Sequence, residues 1–437
     1  MTTALRELPS RFSLPLIGET LSFVKDTAGF LQARADELGP VFQINVFGSP
    51  TACFVGPEAF SVVLDDTRVQ RAGANPPHVE ELFNPEAIPF LDGAKQRRRK
   101  KLLMQAFTPQ ALDAYLPIIQ SALEAAADRW AAQKKVSFGP ELNSLGFAIA
   151  AALFIGADPR QPDPAVEQAF DRFAAGLLSL PVRLPFTPFG KALAARQWLL
   201  GKIDAAIADH ETTPRADLLS RLLSAQDGEE KLGRDEVRIE TFHFFGAYAA
   251  VIGGLSFLAQ FLGADEKVRA RAREEVRRVT PSGPLDLATL RKLEYVQRVC
   301  LESRRAQPIL PITFFGKVVK DTEVNGVRIP AGHKAIGCIG PTLQDGKTYA
   351  QPEKFDPDRW ENATEEQKRA WIPHGGGVHT EGHRCAGEAL ATLMLEAFCA
   401  VMLRRFDWKL LSADLSPTKA KLFATPASGL PVELTEL

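Results

Sequence analysis

Apolar and polar positions alternate at helical spacing from about residue 20 to 38, and Gly39-Pro40 ends that pattern. VFQINVF, then Gly48-Ser49-Pro50, then TACFV predicts a β-hairpin. A short helix is expected over Pro57 to Leu64, and the Pro/Gly-rich stretch from Arg71 to Asp92 reads as loop with one short helix. From Ala94 the pattern turns strongly helical and stays so to about Gly156. Asp163 to His210 predicts two helices around the break SLPVRLPFTPFG. A polar connection, Asp227 to Gly233, leads into a long apolar helix. Charged helices follow at about Ala264–Val279 and Leu287–Arg305. The remainder mixes short strands (Val327–Pro330), Pro/Gly-rich loops and a last helix from Cys385 to Arg404. The pattern predicts a mainly α fold with a small β portion, and no linker divides residues 1–437 into more than one domain.

The long apolar segment, FHFFGAYAAVIGGLSFLAQFLGA from Phe242 to Ala264, is long enough to span a bilayer. A helix apolar on all sides is either a membrane span or the buried centre of a large protein. Charged amphipathic helices flank it and no second segment of this kind is read in the sequence, so burial is expected. Hydrophobic residues make up 45% and charged residues 24% of the 437, a balance that supports a sizeable core. The net charge of -1 gives no global reason to bind nucleic acid or a membrane surface. Cys53, Cys300, Cys338, Cys385 and Cys399 are an odd, scattered set without a CxxC pair. That argues against a disulfide framework or a zinc site and fits a reducing cytoplasm. The opening residues Met1 to Pro9 carry no long apolar stretch, so no signal peptide or anchor is expected.

Cys385 changes this picture most. It lies near the end of the run Pro373 to Glu388, PHGGGVHTEGHRCAGE, in which three glycines precede a polar loop and small residues follow the thiol. Glycine lets backbone approach a flat ligand closely. A thiol at the start of a helix is biased toward thiolate, and a thiolate offered from such a loop suits an axial position on haem iron. Glu302 and Arg305 share one helix face, and Arg359, in Phe355-Asp356-Pro357-Asp358-Arg359-Trp360, is placed to join them in a paired, semi-buried triad. The basic run Lys95 to Lys101 opens a helix without aromatic interleaving, which points to a solvated or anion-binding face and not to nucleic acid.

Taken in order, these features resemble the cytochrome P450 family. The basic helix, the long apolar helix, Glu302 with Arg305, DTEVNGVRIPAG (Asp321 to Gly332), FDPDRW and the cysteine loop follow one another as they do there. LPLIGET near the N-terminus and the central SLPVRLPFTPF are also similar. The resemblance implies a one-domain fold with haem b between the long apolar helix and the helix after Cys385, which would be the thiolate ligand. Gly377 and Gly387 would border that cofactor. Gln96 and Lys100 stand where the family places His and Arg against the propionates, with Lys317 a weaker match. The remaining basic residues would form a docking patch for an electron donor.

The departures matter as much. Seven residues, Val378 to Arg384, separate the last glycine from the cysteine, where the family has three. This longer loop, ending GHRCAGE, resembles the bacterial fatty-acid peroxygenase branch, which uses hydrogen peroxide. His383 and Arg384 are candidates to meet a propionate. In the long helix the family's acid and threonine become Tyr248 and Ala249, within Phe245-Gly246-Ala247-Tyr248-Ala249. Ala249 offers no hydrogen bond, and Tyr248 can donate one but stays neutral near pH 7. The peroxygenase branch has a carboxylate-holding arginine where Gly246 or Ala247 stands here. His243, a turn earlier, is a candidate substitute.

Three functions are therefore expected to compete. The first is an oxidising haem-thiolate enzyme, monooxygenase or peroxygenase, acting on a terpenoid or fatty-acid-like lipid. Its pocket would be built from Phe90, Phe242, Phe245, Ile312, Phe314 and Thr425, and it would use a ferredoxin-type donor or peroxide. The second is a haem-thiolate isomerase, dehydratase or cyclase that does not activate oxygen. The third is a haem sensor or carrier. In each case a cytoplasmic monomer is expected, without membrane anchor or nucleic acid.

Overall fold

The computed structural model describes residues 5–11 and 18–437. Residues 14–17, which open the LPLIGET phrase, and residues 1–4 lie outside the described part.

The hairpin forms as its alternation requires. Val41–Val46 pairs antiparallel with Ser49–Phe54, Val41 opposite Phe54 and Val46 opposite Ser49. Phe47 and Gly48 both take positive φ at the turn, the geometry whose twist matches that of the strands it joins. Ser49–Phe54 also runs parallel to Lys334–Gly337, and Gly316–Val318 and Val69–Gln70 complete a five-stranded sheet. A three-stranded sheet joins Lys135–Ser137, Pro431–Glu436 and Phe406–Leu410. One hydrophobic cluster, running in sequence from Leu82 to Leu434, fills the helical part. The helices dominate.

Several boundaries differ from the sequence reading, each for a local reason. The helix expected over 20–38 is two, Thr20–Lys25 and Thr27–Leu38. Asp26 interrupts it because its carboxylate accepts from Gly29 N at 3.0 Å and caps the second. The Leu287–Arg305 helix is likewise split into Leu287–Leu290 and Glu294–Ala306. Glu275 sits at the start of the second piece and accepts from Tyr295 N (3.0 Å) and Val296 N (2.9 Å). The last helix is Glu388–Arg405, so Cys385 precedes it and does not start it.

The long apolar helix also comes in two pieces, Arg234–Ala247 and Ala249–Ala264, joined at Tyr248. Tyr248 N donates to both Phe244 O (3.0 Å) and Phe245 O (3.2 Å), so the coil tightens locally and runs on. A second helix, Phe138–Ile155, is also long and apolar enough to cross a membrane. This corrects the expectation of a single such segment. Pro140, Glu141 and Asn143 in its first turns conceal it in the sequence. Both helices lie mostly inside the protein.

Candidate functional site

The cysteine loop is fixed through its backbone. Gly375, Gly377 and Gly382 take positive φ, where other residues are strained. A Cβ at Gly376 would come within 2.9 Å of Leu64. Cys385 N donates to His374 O at 3.0 Å, and a His379 ring nitrogen lies 3.0 Å from Cys385 O. From the basic helix, Gly93–Leu103, Gln96 Nε2 donates to Gly382 O at 2.6 Å and Lys100 Nζ to Arg384 O. Arg384 makes a two-pronged contact with Glu388, at 2.7 and 2.8 Å, and donates to Gly377 O.

The tips of Gln96, Lys100 and Arg384 thus hold the loop itself. His383 Nε2 has no hydrogen-bond partner among the described residues and lies 3.5 Å from Asp66 and 3.7 Å from Asp92. Elsewhere on the basic helix, Lys95 pairs with Glu86 and Lys101 with Asp227. Arg99 is buried. That leaves far less free positive charge than the sequence reading of a docking patch requires, with Arg97 exposed.

Burial pushes the Cys385 thiol up, opposed by the Lys100 charge and by the N–H groups of Gly387 and Glu388. The residue is nevertheless exposed. Between Thr241 and Gln260 the apolar helix is buried except at Ala247, Ala249, Ala250 and Val251, which are half-buried, with His243 at the margin. That helix and Glu388–Arg405 pack together, Gly254 beside Leu395. Cys385 with Gly387, and the methyl groups of Ala247, Ala249, Ala250 and Val251 on the helix packed against Glu388–Arg405, would suit a flat, apolar cofactor held by sulfur.

Glu302, Arg305 and Arg359 meet in one network more buried than the semi-buried triad expected. Glu302 and Arg305 are both 0% exposed. Arg305 Nε and Nη2 each donate to Glu302 at 2.9 Å, as does Arg359 Nε. Trp360 Nε1 (2.9 Å) and Asp356 N (3.0 Å) complete the shell around the carboxylate. A buried charge is tolerated only when answered in this way. The network ties the Glu294–Ala306 helix to the FDPDRW segment.

Around Tyr248 the chemistry is sparse. Its ring stands edge-on to Phe154, and its hydroxyl is buried and donates to nothing among the described residues. Burial pushes its phenol well above the usual range, so it stays protonated. Gly246 and Ala249 border a cavity of about 60 Å³ with Phe147, Phe170, Phe173 and Phe423.

Nearby, Phe83 gathers Phe90, Phe173, Phe314 and His243 around its ring at 5.2–6.3 Å. Phe242 stands edge-on to Phe173 at 5.2 Å. Phe245 instead stacks on Phe170 at 4.4 Å. Ile312 bridges to Cys338 at the sheet, and Thr425 bonds to Thr418 in the C-terminal loop. The structure therefore brings Phe90, Phe242, Phe314 and His243 to one aromatic centre, and leaves Phe245, Ile312 and Thr425 outside it.

Sequence reasoning missed Phe83 and Phe173, which organise this centre, and Glu240. Glu240 is fully buried and accepts from Arg99 Nη1 at 2.6 Å and Ile88 N at 3.0 Å. Its second oxygen lies 3.3 Å from His243 Nδ1. Glu236 and Glu240, four apart and facing the basic helix, were the available signal.

The family model described as Cytochrome P450 matches residues 8–434. A solved structure described as retinoic acid bound cyanobacterial CYP120A1 superposes with a TM-score of 0.90, at 30% identity over 100% of both chains. Abscisic acid 8'-hydroxylase 1 of Oryza sativa subsp. japonica is 28% identical over 437 residues, covering 98% of this chain and 90% of that one. A solved structure of a mutant of cytochrome P450SP alpha (CYP152B1) shares the fold at a TM-score of 0.80 and 22% identity, over 96% of this chain and 99% of that one.

Proposed function

This chain belongs to the cytochrome P450 family of haem-thiolate oxidoreductases, and from that premise we propose that it oxidises a terpenoid or fatty-acid-like lipid, with Cys385 as the ligand of a haem b. The observation that carries the ligand assignment is the exposed Cys385 on a backbone-pinned loop, in a protein whose other four cysteines are buried. A thiolate-bound haem supplies electron density that favours O–O cleavage. The chain's own part is to hold the thiol, exclude water and present an apolar wall. The aromatic centre of Phe83, Phe90, Phe173 and Phe314 does the last. The retinoic acid and abscisic acid in the names of the relatives, both carboxylated terpenoids, support this substrate class.

The oxidant is molecular oxygen with a ferredoxin-type donor, or hydrogen peroxide. A second reading has one specific support. Ala249 has no proton to move and the Tyr248 hydroxyl reaches no partner, which suits a haem-thiolate isomerase, dehydratase or cyclase. In either reading the protein acts as a cytoplasmic monomer of one domain. The test adds purified holoenzyme to terpenoid and fatty acids and follows the haem spectrum, then assays binders with reductase and ferredoxin, with peroxide, and with neither. An oxidised product under either oxidant is expected. Conversion without oxidant would select the second reading, and absence of binding by every lipid would overturn both.

A further inference from the structure

His243 stands against the aromatic centre, and its surroundings give it an orientation. Its ring lies edge-on to Phe83 at 6.2 Å and tilted against Phe244 at 5.2 Å. Its Nδ1 faces Glu240 Oε2. Glu240 is fixed in turn by Arg99 and by Ile88 N, and Arg99 also pairs with Glu236 at 2.7 Å. Glu236 is shared with Arg98 at 3.0 Å. With Nδ1 committed to Glu240, Nε2 is left. It has no hydrogen-bond partner among the described residues, yet it is absent from their fully buried, unpartnered side-chain atoms. The residue is about nine-tenths buried against Phe83 and Phe244, so this nitrogen stands largely enclosed and unanswered.

We infer that His243, held by the Arg99–Glu240 pair, is the anchor for a carboxyl group on the substrate. This deepens the lipid-oxidation reading and rests on it. With Nδ1–H donated to Glu240, a neutral imidazole offers Nε2 as an acceptor. A carboxylic acid donates its O–H to that nitrogen. If the proton crosses, the imidazolium donates to the carboxylate, and the same two atoms stay paired. A methyl ester has neither the proton nor the negative charge. The neighbouring wall is apolar, so an unpaired Nε2 there finds little else to bond, which sharpens the discrimination. Glu240 acts through His243 and is a positioning residue.

The experiment titrates the holoenzyme with retinoic acid and with its methyl ester and follows the haem Soret shift. Wild type is expected to bind the acid roughly tenfold to a hundredfold more tightly than the ester, the range of one charge-assisted hydrogen bond. His243→Phe, which keeps the ring volume, should bind both with the ester's affinity. His243→Gln should recover part of the preference. Glu240→Gln should weaken the acid and leave the ester unchanged, an asymmetry that a merely structural role would not produce. Equal binding of acid and ester by wild type, or a preference that survives in His243→Phe, overturns the anchor while leaving the lipid pocket standing. Failure of both ligands to shift the spectrum, with imidazole still shifting it, contradicts the lipid-pocket reading and the anchor with it.

Discussion

On the thiol side of the site, polar groups hold one another. Gln96, Lys100, Arg384, Glu388 and the amide of Cys385 all have partners that fix the loop. On the long apolar helix, around Tyr248, the chain presents Ala247, Ala249, Ala250 and Val251, and a hydroxyl with no partner among the described residues. A ligand atom must be kept in place to a fraction of an ångström, and many cooperating bonds do that. A reaction space is set by shape and by one or two protons, so single side chains can redefine it without unfolding anything. The thiol side should therefore be intolerant of substitution in structure, and the Tyr248 side tolerant in structure but sensitive in chemistry.

The largest effect expected is that of Cys385→Ser. The holoenzyme should lose the red-shifted Soret band that a thiolate ligand gives the reduced carbon monoxide complex. Retention of that band would remove Cys385 from the iron. Glu302→Ala comes next, since it leaves Arg305 and Arg359 without their carboxylate. A loss of about 3–5 kcal/mol is expected in denaturant unfolding. A loss below about 1 kcal/mol would mean that the network is not the strut it resembles.

Glu396, on the helix after the thiol, stands apart from these paired groups. It is buried and accepts no hydrogen bond among the described residues, and burial pushes its carboxyl up to about 7, opposed by Arg304 and Arg291. The folded chain then holds this proton more tightly than the unfolded one, whose value is near 4.5. Stability falls as pH rises between those two values and levels off above about 7. Glu396→Gln removes that slope and should gain about 1–3 kcal/mol over wild type at pH 8, with little difference at pH 4. An unchanged pH profile would contradict the burial argument. Tyr248→Phe is the mildest change. It deletes a buried hydroxyl that bonds to nothing, so thermal denaturation should show a gain of about 1 kcal/mol.

The same contrast governs what could be read in the sequence. The hairpin was legible because its burial alternates and Gly48 marks the turn. Glu302, Arg305 and Arg359 were legible as a group because two of them share a helix turn and the third sits in a distinctive phrase. The tightening at Tyr248 was not, since it arises from one amide shared between two carbonyls, which no residue type announces. Nor was the pairing of Arg99 with Glu240, which the fold makes across 141 positions. The basic run reads as solvent-facing in sequence, yet the fold turns Gln96, Arg99 and Lys100 inward. The last helix reads as starting a turn too early, at Cys385, because Ala386-Gly387 resembles a helix start when the helix begins at Glu388.

The claim that the thiol side fixes the cofactor while the Tyr248 side decides the reaction is tested most directly by Ala249→Thr. The measurement is product formed per reducing equivalent consumed, in holoenzyme supplied with oxygen, a reductase and a ferredoxin. A hydroxyl restored at position 249 gives that side a proton donor, so the ratio should rise several-fold over wild type while the thiolate spectrum stays the same. An unchanged ratio, with the spectrum intact and electrons still consumed, would contradict the account.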